Sequence, residues 1–183
     1  MAASQAVPRT REPWDLDLPA GDILRHVEWP DTFPLSRERH LKRIDESPDT
    51  NFYAQPRLVH HIDDYARQTL GAYYATVLPK GGHVLDLMSS WTSHLADGTG
   101  RDKSDGHFAR VAGLGMHEAE LVANPALHDY HVHDLNRSPS MPMYADGSFD
   151  AVFCSVSVDY LANPLPVIDE IHRVLKPGGL AVR

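Results

Sequence analysis

The chain has 183 residues, with 17 Lys and Arg against 25 Asp and Glu, a net charge of −8 with histidine neutral. That length suits one domain, or one domain with a long extension, and can bury a core without staples. The acidic balance argues against a sequence-independent nucleic-acid binder, the single cysteine (Cys154) excludes an intrachain disulfide, and no apolar run approaches the roughly 20 residues of a membrane span.

Residues 1–20 hold few apolar side chains and three prolines, which reads as a flexible arm. Arg9 and Arg11 with no acid among the first 11 residues match a transit peptide, but the stretch is too short to argue for one, and a cytoplasmic protein is expected. Residues 21–60 are punctuated by Pro30, Pro34, Pro48 and Pro56, with Trp29, Phe33, Phe52 and Tyr53 among charged residues. This reads as an ordered irregular extension packed on a domain, a lid if it covers a site. Its aromatic residues either line an acceptor pocket or anchor the extension, and burial favours anchoring.

A domain then occupies residues 61–183. The spacing predicts a helix over 61–78, with Ile62, Tyr65 or Ala66, Leu70, Tyr73 and Val77 on one face. Asp63 and Asp64 fall in its first turn, and Pro79-Lys80-Gly81-Gly82 stops it. Short apolar runs follow at 83–88, 109–114, 130–135 and 149–158, and a fifth begins at 179. Runs apolar on both faces suit strands of a parallel sheet covered on both sides. Helical stretches at 118–123 and 163–175 lie between them. The second has Asn163 at the N-cap, Pro164 at the first helical position, and Val167, Ile168, Ile171, Val174 and Leu175 on one face. Alternating strands and helices predict an α/β fold with a doubly wound, mainly parallel sheet.

Ligands of such sheets bind outside the carboxyl ends of the strands, which selects residues 86–91, 115–117, 134–136 and 155–160. Other constellations have plainer readings. His131 and His133 share one side of a strand and, with His128 or Asp134, form a zinc half-site lacking a defined further ligand, so no metal is expected. His60-His61-x-Asp63-Asp64 could hold a base but more simply opens a helix. Ser157 and Asp159 either face an acceptor or cap the next turn, and Cys154 in the most apolar run reads as a core thiol. There is no Gly-x-Gly-x-x-Gly after the first strand, which counts against a nicotinamide-dependent oxidoreductase.

Four blocks carry a family resemblance: Val84-Leu85-Asp86-Leu87, Val111-Ala112-Gly113-Leu114-Gly115-Met116, Asp146-Gly147-Ser148-Phe149-Asp150-Ala151-Val152, and Ile171-His172-Arg173-Val174-Leu175-Lys176-Pro177-Gly178-Gly179. In this order and spacing the chain from about residue 60 onward resembles a class I S-adenosylmethionine-dependent methyltransferase. The resemblance implies a Rossmann-like sheet, S-adenosylmethionine as cofactor, and a small-molecule methyl acceptor. It implies cofactor-binding roles for Asp86, Met88, Ser89, Ser90, Gly115, Met116, Asp134, Leu135 and Ser155. It names no catalytic residue. Asp134 matches the family's Asp near the adenine, though an Asp there also caps a turn.

The departures sit at the cofactor. The family's Gly-x-Gly loop is replaced by Met88-Ser89-Ser90-Trp91-Thr92. Met and Ser tolerate positive φ poorly, so the loop is expected to take another conformation, or the ligand to sit further off. The family's ribose-binding acid aligns with Gly115, and nearby Glu118 reads better as a helix N-terminal charge. Ser89-Ser90-Trp91, Gly113-Leu114-Gly115-Met116 and the stretch from Asp45 to Tyr53 resemble a variant methyltransferase-like subgroup, which implies an altered pocket. A degenerate, non-catalytic binding protein is the alternative. The family fold continues beyond a fifth strand, whereas this sequence stops at Val182-Arg183, so an incomplete domain with an exposed sheet edge is expected.

Overall fold

The computed structural model describes residues 32, 35–36, 39–95 and 107–183. The arm, and Trp29 and Phe33 of the aromatic set, lie outside the described residues. Residues Leu35–Arg183 form one compact unit, which holds the sheet and its helices.

Strand β1 (His83–Ser89) is the middle of a five-stranded parallel sheet. Its neighbours are β2 (Arg110–Gly115) and β4 (Phe149–Phe153); β3 (Asp129–Val132) and β5 (Leu175–Val182) are outermost, giving the order β3-β2-β1-β4-β5. The period of two splits the apolar runs into two cores. Leu85, Leu87, Ala112, Leu114 and Val152 face Met141, Tyr144, Val167 and Val174. Val84, Val111, Ala151 and Phe153 face Tyr74, Leu78, Leu121 and Leu127. Both faces are covered, which is why the strands read as continuous apolar runs.

A helical turn, α1 (Asp49–Phe52), precedes helix α2 (Asp64–Val77). Helix α2 starts three residues later than expected, because the Asp63 side chain caps it by accepting the Ala66 N–H at 2.8 Å. His60, His61 and Ile62 are therefore outside it. Its inner face keeps the expected Leu70 and Val77, with Ala66 rather than Tyr65 (73% exposed), but takes Tyr74 (1% exposed) in place of Tyr73 (39%). Tyr74 turns inward because its ring packs on Phe153, centroids 5.0 Å apart, and its hydroxyl bonds Ser155 Oγ at 2.9 Å.

Helix α3 (Glu118–Ala123) follows β2, capped by His117, whose Nδ1 accepts the Ala119 N–H. Strand β4 ends at Phe153, earlier than the apolar run suggests, since Val156 adopts φ 55° and turns the chain. A 3₁₀ turn (Val158–Tyr160) leads to α4 (Pro164–Val174). Asn163 is its N-cap residue but makes no side-chain cap bond, and Ile168, expected on the buried face, is 52% exposed.

Strand β5 begins at Leu175, directly after α4, so Lys176-Pro177-Gly178-Gly179 lies within it rather than before it. The pairing skips register between Phe149 and Ala151, and Gly178 supplies φ +80°. Asp150 anchors the skip: it accepts Lys176 Nζ at 2.8 Å and the His83 N–H at 2.8 Å. Among the described residues β5 pairs with β4 alone.

Candidate functional site

The sheet order reverses at β1, whose two neighbours lie later in the chain on opposite sides. Ligands of open α/β sheets bind outside the strand ends at such a switch point. A cleft of about 60 Å³ opens there, with Asp86, Ser89 and Ser155 at its floor and Val59, His60 and His61 at its rim.

Among the described residues three non-glycine side chains have positive φ: Met88 at 59°, His94 at 53° and Val156 at 55°. All three line this cleft. A left-handed residue other than glycine costs on the order of 1–3 kcal/mol, and such strain gathers at functional sites. Met88 corrects the expectation that the loop would avoid this conformation: it is bulged out between Leu87, which pairs with Leu114, and Ser89, which pairs with Gly115.

Beneath the cleft runs a buried polar network. Asp86, 2% exposed, accepts the Ser89 hydroxyl at 2.6 Å. Burial pushes its pKa up to about 7, against hydrogen bonds from Ser89 and Ser93. Asn124 Nδ2 donates to the Ser90 carbonyl and to Ser93 Oγ, each at 2.9 Å. Ser90 Oγ donates to Glu120 Oε2 at 2.7 Å, and Glu120 Oε1 accepts the Arg57 N–H at 2.7 Å. Glu120 is 2% exposed. The sequence singled out Glu118, which is exposed; it gave no signal for Glu120, Asn124 or His94, because a glutamate in a short helix defaults to the surface.

The expected site residues divide. Asp86, Met88, Ser89, Ser90 and Ser155 line the cleft together. Gly115, Met116, Asp134 and Leu135 lie at the ends of β2 and β3, outside its lining. Gly115 packs against Ser89 and leaves no room for a side chain. Asp134 Oδ1 accepts the Asn136 and Arg137 N–H groups, an Asx turn, and Leu135 is buried in the core. Ser157 does not cap forward: its hydroxyl donates back to the Ser155 carbonyl. Cys154 is buried, and burial pushes its thiol up to about 12. His133 bonds the Ser138 carbonyl, His128 Nδ1 accepts the Val111 N–H, and among the described residues no group of three His, Cys, Asp or Glu is placed to hold a metal ion.

Residues 43–60 are tied to the elements that follow the first three strands. Asp49 accepts Asn136 Nδ2 at 2.6 Å after β3, and the Arg57 N–H meets Glu120 after β2. Trp91 Nε1 donates to the Val59 carbonyl at 3.0 Å after β1, and the His60 ring lies on Trp91 with centroids 4.4 Å apart. Asn136 also donates to the Tyr160 carbonyl and accepts the Ala162 N–H.

Comparison with known proteins agrees with this architecture. Residues 95–182 match the family model described as a methyltransferase domain. The parallel sheet of order β3-β2-β1-β4-β5 is a Rossmann-like arrangement. The match takes in β2 to β5 and begins after the unusual loop that follows β1. The biotin biosynthesis bifunctional protein BioHC of Teredinibacter turnerae is 28% identical over 142 residues, 72% of this chain and 23% of that protein. A TehB-like SAM-dependent methyltransferase from Corynebacterium glutamicum is 22% identical with a TM-score of 0.48, over 67% of this chain and 63% of that one. A SAM-dependent methyltransferase from Mesorhizobium loti is 22% identical with a TM-score of 0.43, over 59% and 48%. The chain thus spans about a quarter of the curated relative and about half to two thirds of these solved chains.

Proposed function

We propose that the protein is an S-adenosylmethionine-dependent methyltransferase acting on a small-molecule acceptor. The observation that carries this reading is the cleft at the sheet's switch point, ringed by the left-handed Met88, His94 and Val156. The methyltransferase-domain match supports it, and a relative named for biotin biosynthesis supports a small acceptor.

The cleft's donor set suits such a cofactor. The Asp86 carboxyl faces it where a cationic group would sit, the Ser155 hydroxyl offers a hydrogen bond, and Met88 offers an apolar contact. Asp86, Met88, Ser89, Ser90 and Ser155 would hold the cofactor, with Gly115, Met116, Asp134 and Leu135 on the side toward β2 and β3. The cleft's volume of about 60 Å³ is far below the roughly 300–1,000 Å³ of ligand sites. Residues 57–61 would therefore act as a lid that moves outward on binding.

Bound there, the cofactor supplies an electrophilic methyl group on a sulfonium sulfur. The chain's task is then to orient the acceptor in line and exclude water, which supplies much of the acceleration in such transfers.

Isothermal titration of the full chain with S-adenosylhomocysteine tests the reading. Saturable binding is expected, weakened by Ser155→Ala; no heat from folded protein overturns it. Binding without methyl transfer is a second reading, favoured by the absence of a side chain at Gly115. Conversion of S-adenosylmethionine to S-adenosylhomocysteine in the presence of acceptor separates the two.

A further inference from the structure

Glu120 stands behind the cleft rather than in its lining, yet it holds both of the cleft's walls. Its Oε2 accepts the Ser90 hydroxyl at 2.7 Å, on the wall formed by the turn after β1. Its Oε1 accepts the Arg57 N–H at 2.7 Å, just before the wall of Val59, His60 and His61. One side chain of α3 thus bridges the turn that follows β1 and the segment that leads into α2.

The two sides are held unequally. On the turn, the Ser90 carbonyl also accepts Asn124 Nδ2 at 2.9 Å, and Ser89 pairs with Gly115 in the sheet. Residues 54–61, by contrast, are exposed and belong to no helix or strand. Among the described residues only two hydrogen bonds tie them to anything from α2 onward: Arg57 N–H to Glu120, and Trp91 Nε1 to the Val59 carbonyl. A backbone segment held so sparsely opens locally at low cost. Glu120 sets much of that cost. It is 2% exposed and forms no ion pair among the described residues, so hydrogen-bond donors alone offset its burial.

We propose that Glu120 is a positioning residue that latches residues 57–61 to the Ser89-Ser90 turn, and so governs how readily the cleft opens to its ligand. When the Arg57 N–H leaves, a buried oxygen loses its donor. When Ser90 is the donor lost, the carboxyl group is free to turn and its grip on Arg57 weakens. The two ends are therefore coupled through one side chain, and the coupling is reciprocal. That the ligand is S-adenosylmethionine rests on the methyltransferase reading; the latch is a property of the free chain.

Amide hydrogen exchange of the full, ligand-free chain, resolved by residue with NMR, tests it. Ser90→Ala removes a hydroxyl that makes no hydrogen bond to residues 54–61. It should nevertheless speed exchange at Arg57 about 3- to 10-fold, the worth of one hydrogen bond. The amides of α2 should not change. Glu120→Gln should stay within about 2-fold of wild type, because its oxygen still accepts from Arg57 and its NH₂ donates to Ser90 Oγ. On a Glu120→Ala background Ser90→Ala should add nothing. If Glu120→Ala does not fold, Ser90→Ala and Glu120→Gln decide. Unchanged Arg57 exchange in Ser90→Ala overturns the latch, as does a rise shared equally by α2, which marks general loosening. A second arm follows S-adenosylhomocysteine association by stopped flow. Association should quicken in Ser90→Ala by the same factor as Arg57 exchange, since the ligand enters the open form and a lost contact acts mainly on dissociation. Faster exchange without faster association overturns the control of entry. If the wild type binds no S-adenosylhomocysteine while Ser90→Ala still frees Arg57, the methyltransferase reading falls and the latch stands.

Discussion

The backbone of Gly115 presses on the carbonyl oxygen of Ser89: a Cβ at position 115 would lie 2.1 Å from that oxygen and 3.0 Å from Leu121 Cδ2. The neighbour is backbone, held by the pairing of β1 with β2, so it cannot swing aside. Gly115→Ala should destabilise the fold by about 1–3 kcal/mol or more, as overpacking does. Gly115→Asp, an attempt to restore an acid there, should fare worse and not improve cofactor binding. Chemical denaturation of the two variants checks the order.

Asp86 carries a pH prediction. Its pKa in the fold is raised from 3.8 to about 7, chiefly by burial. The native state therefore holds the proton more tightly than the unfolded chain, and this group's contribution to stability falls as pH rises between about 4 and 7 and is level above. Asp86→Asn removes that penalty while keeping an acceptor for the Ser89 hydroxyl. The variant should gain on the wild type by on the order of 3 kcal/mol between about pH 4 and pH 8. Parallel urea titrations across that range measure it, and a constant difference would refute the assigned cause.

Trp91 ties residues 58–60 to the loop after β1 through one hydrogen bond and one ring contact. Trp91→Phe keeps an aromatic ring and deletes the donor. Global stability should drop by only about 1 kcal/mol. Amide exchange over residues 55–61 should rise while that of α2 stays unchanged.

Arg173 is a structural clasp. Its guanidinium meets the Glu170 carboxylate, Asp146, and the carbonyls of Tyr144 and Met141. These partners draw its pKa further up. Lysine cannot reproduce the planar fork, so Arg173→Lys should cost about 1–2 kcal/mol despite preserving charge. Thermal unfolding with added salt tests this, since the loss should persist when exposed ion pairs are screened.

Much of the fold was legible because the strands are apolar on both faces and glycine and proline punctuate them. The sheet core of Val84, Leu85, Leu87, Val111 and Val152 follows directly from that pattern. On α2 the expected Leu70 and Val77 do pack on the sheet, and only Tyr73 gives way to its neighbour, because a period of 3.6 tolerates either; the Ser155 hydroxyl, 81 residues away, decides for Tyr74. At the cleft, Asp86, Ser89, Ser90 and Ser155 could be placed from the strand-end rule alone. Glu120 and Asn124 could not, since their burial depends on partners 30 or more residues distant.

Helix α1 and the segment after it reach two strand-end loops and helix α3 through Asp49, Val59 and Arg57. These contacts join residues 87, 63 and 32 positions apart, so they form only once the sheet has formed. Asn136→Asp sets a carboxylate against Asp49 and removes the donor to the Tyr160 carbonyl. It should loosen residues 43–53, read by limited proteolysis, and lower stability by about 1 kcal/mol, since two carboxylates then meet and a part-buried hydrogen bond is lost.

The central place of β1 has a consequence for biosynthesis. Both strands that pair with it are made after it, β4 beginning 60 residues beyond the end of β1 at Ser89 (149 − 89 = 60). At about 5–20 residues per second on the ribosome, that interval lasts roughly 3–12 s. Throughout it the edge of β1 that will receive β4 has no permanent neighbour, and its backbone N–H and C=O groups stay open to pairing with another extended segment.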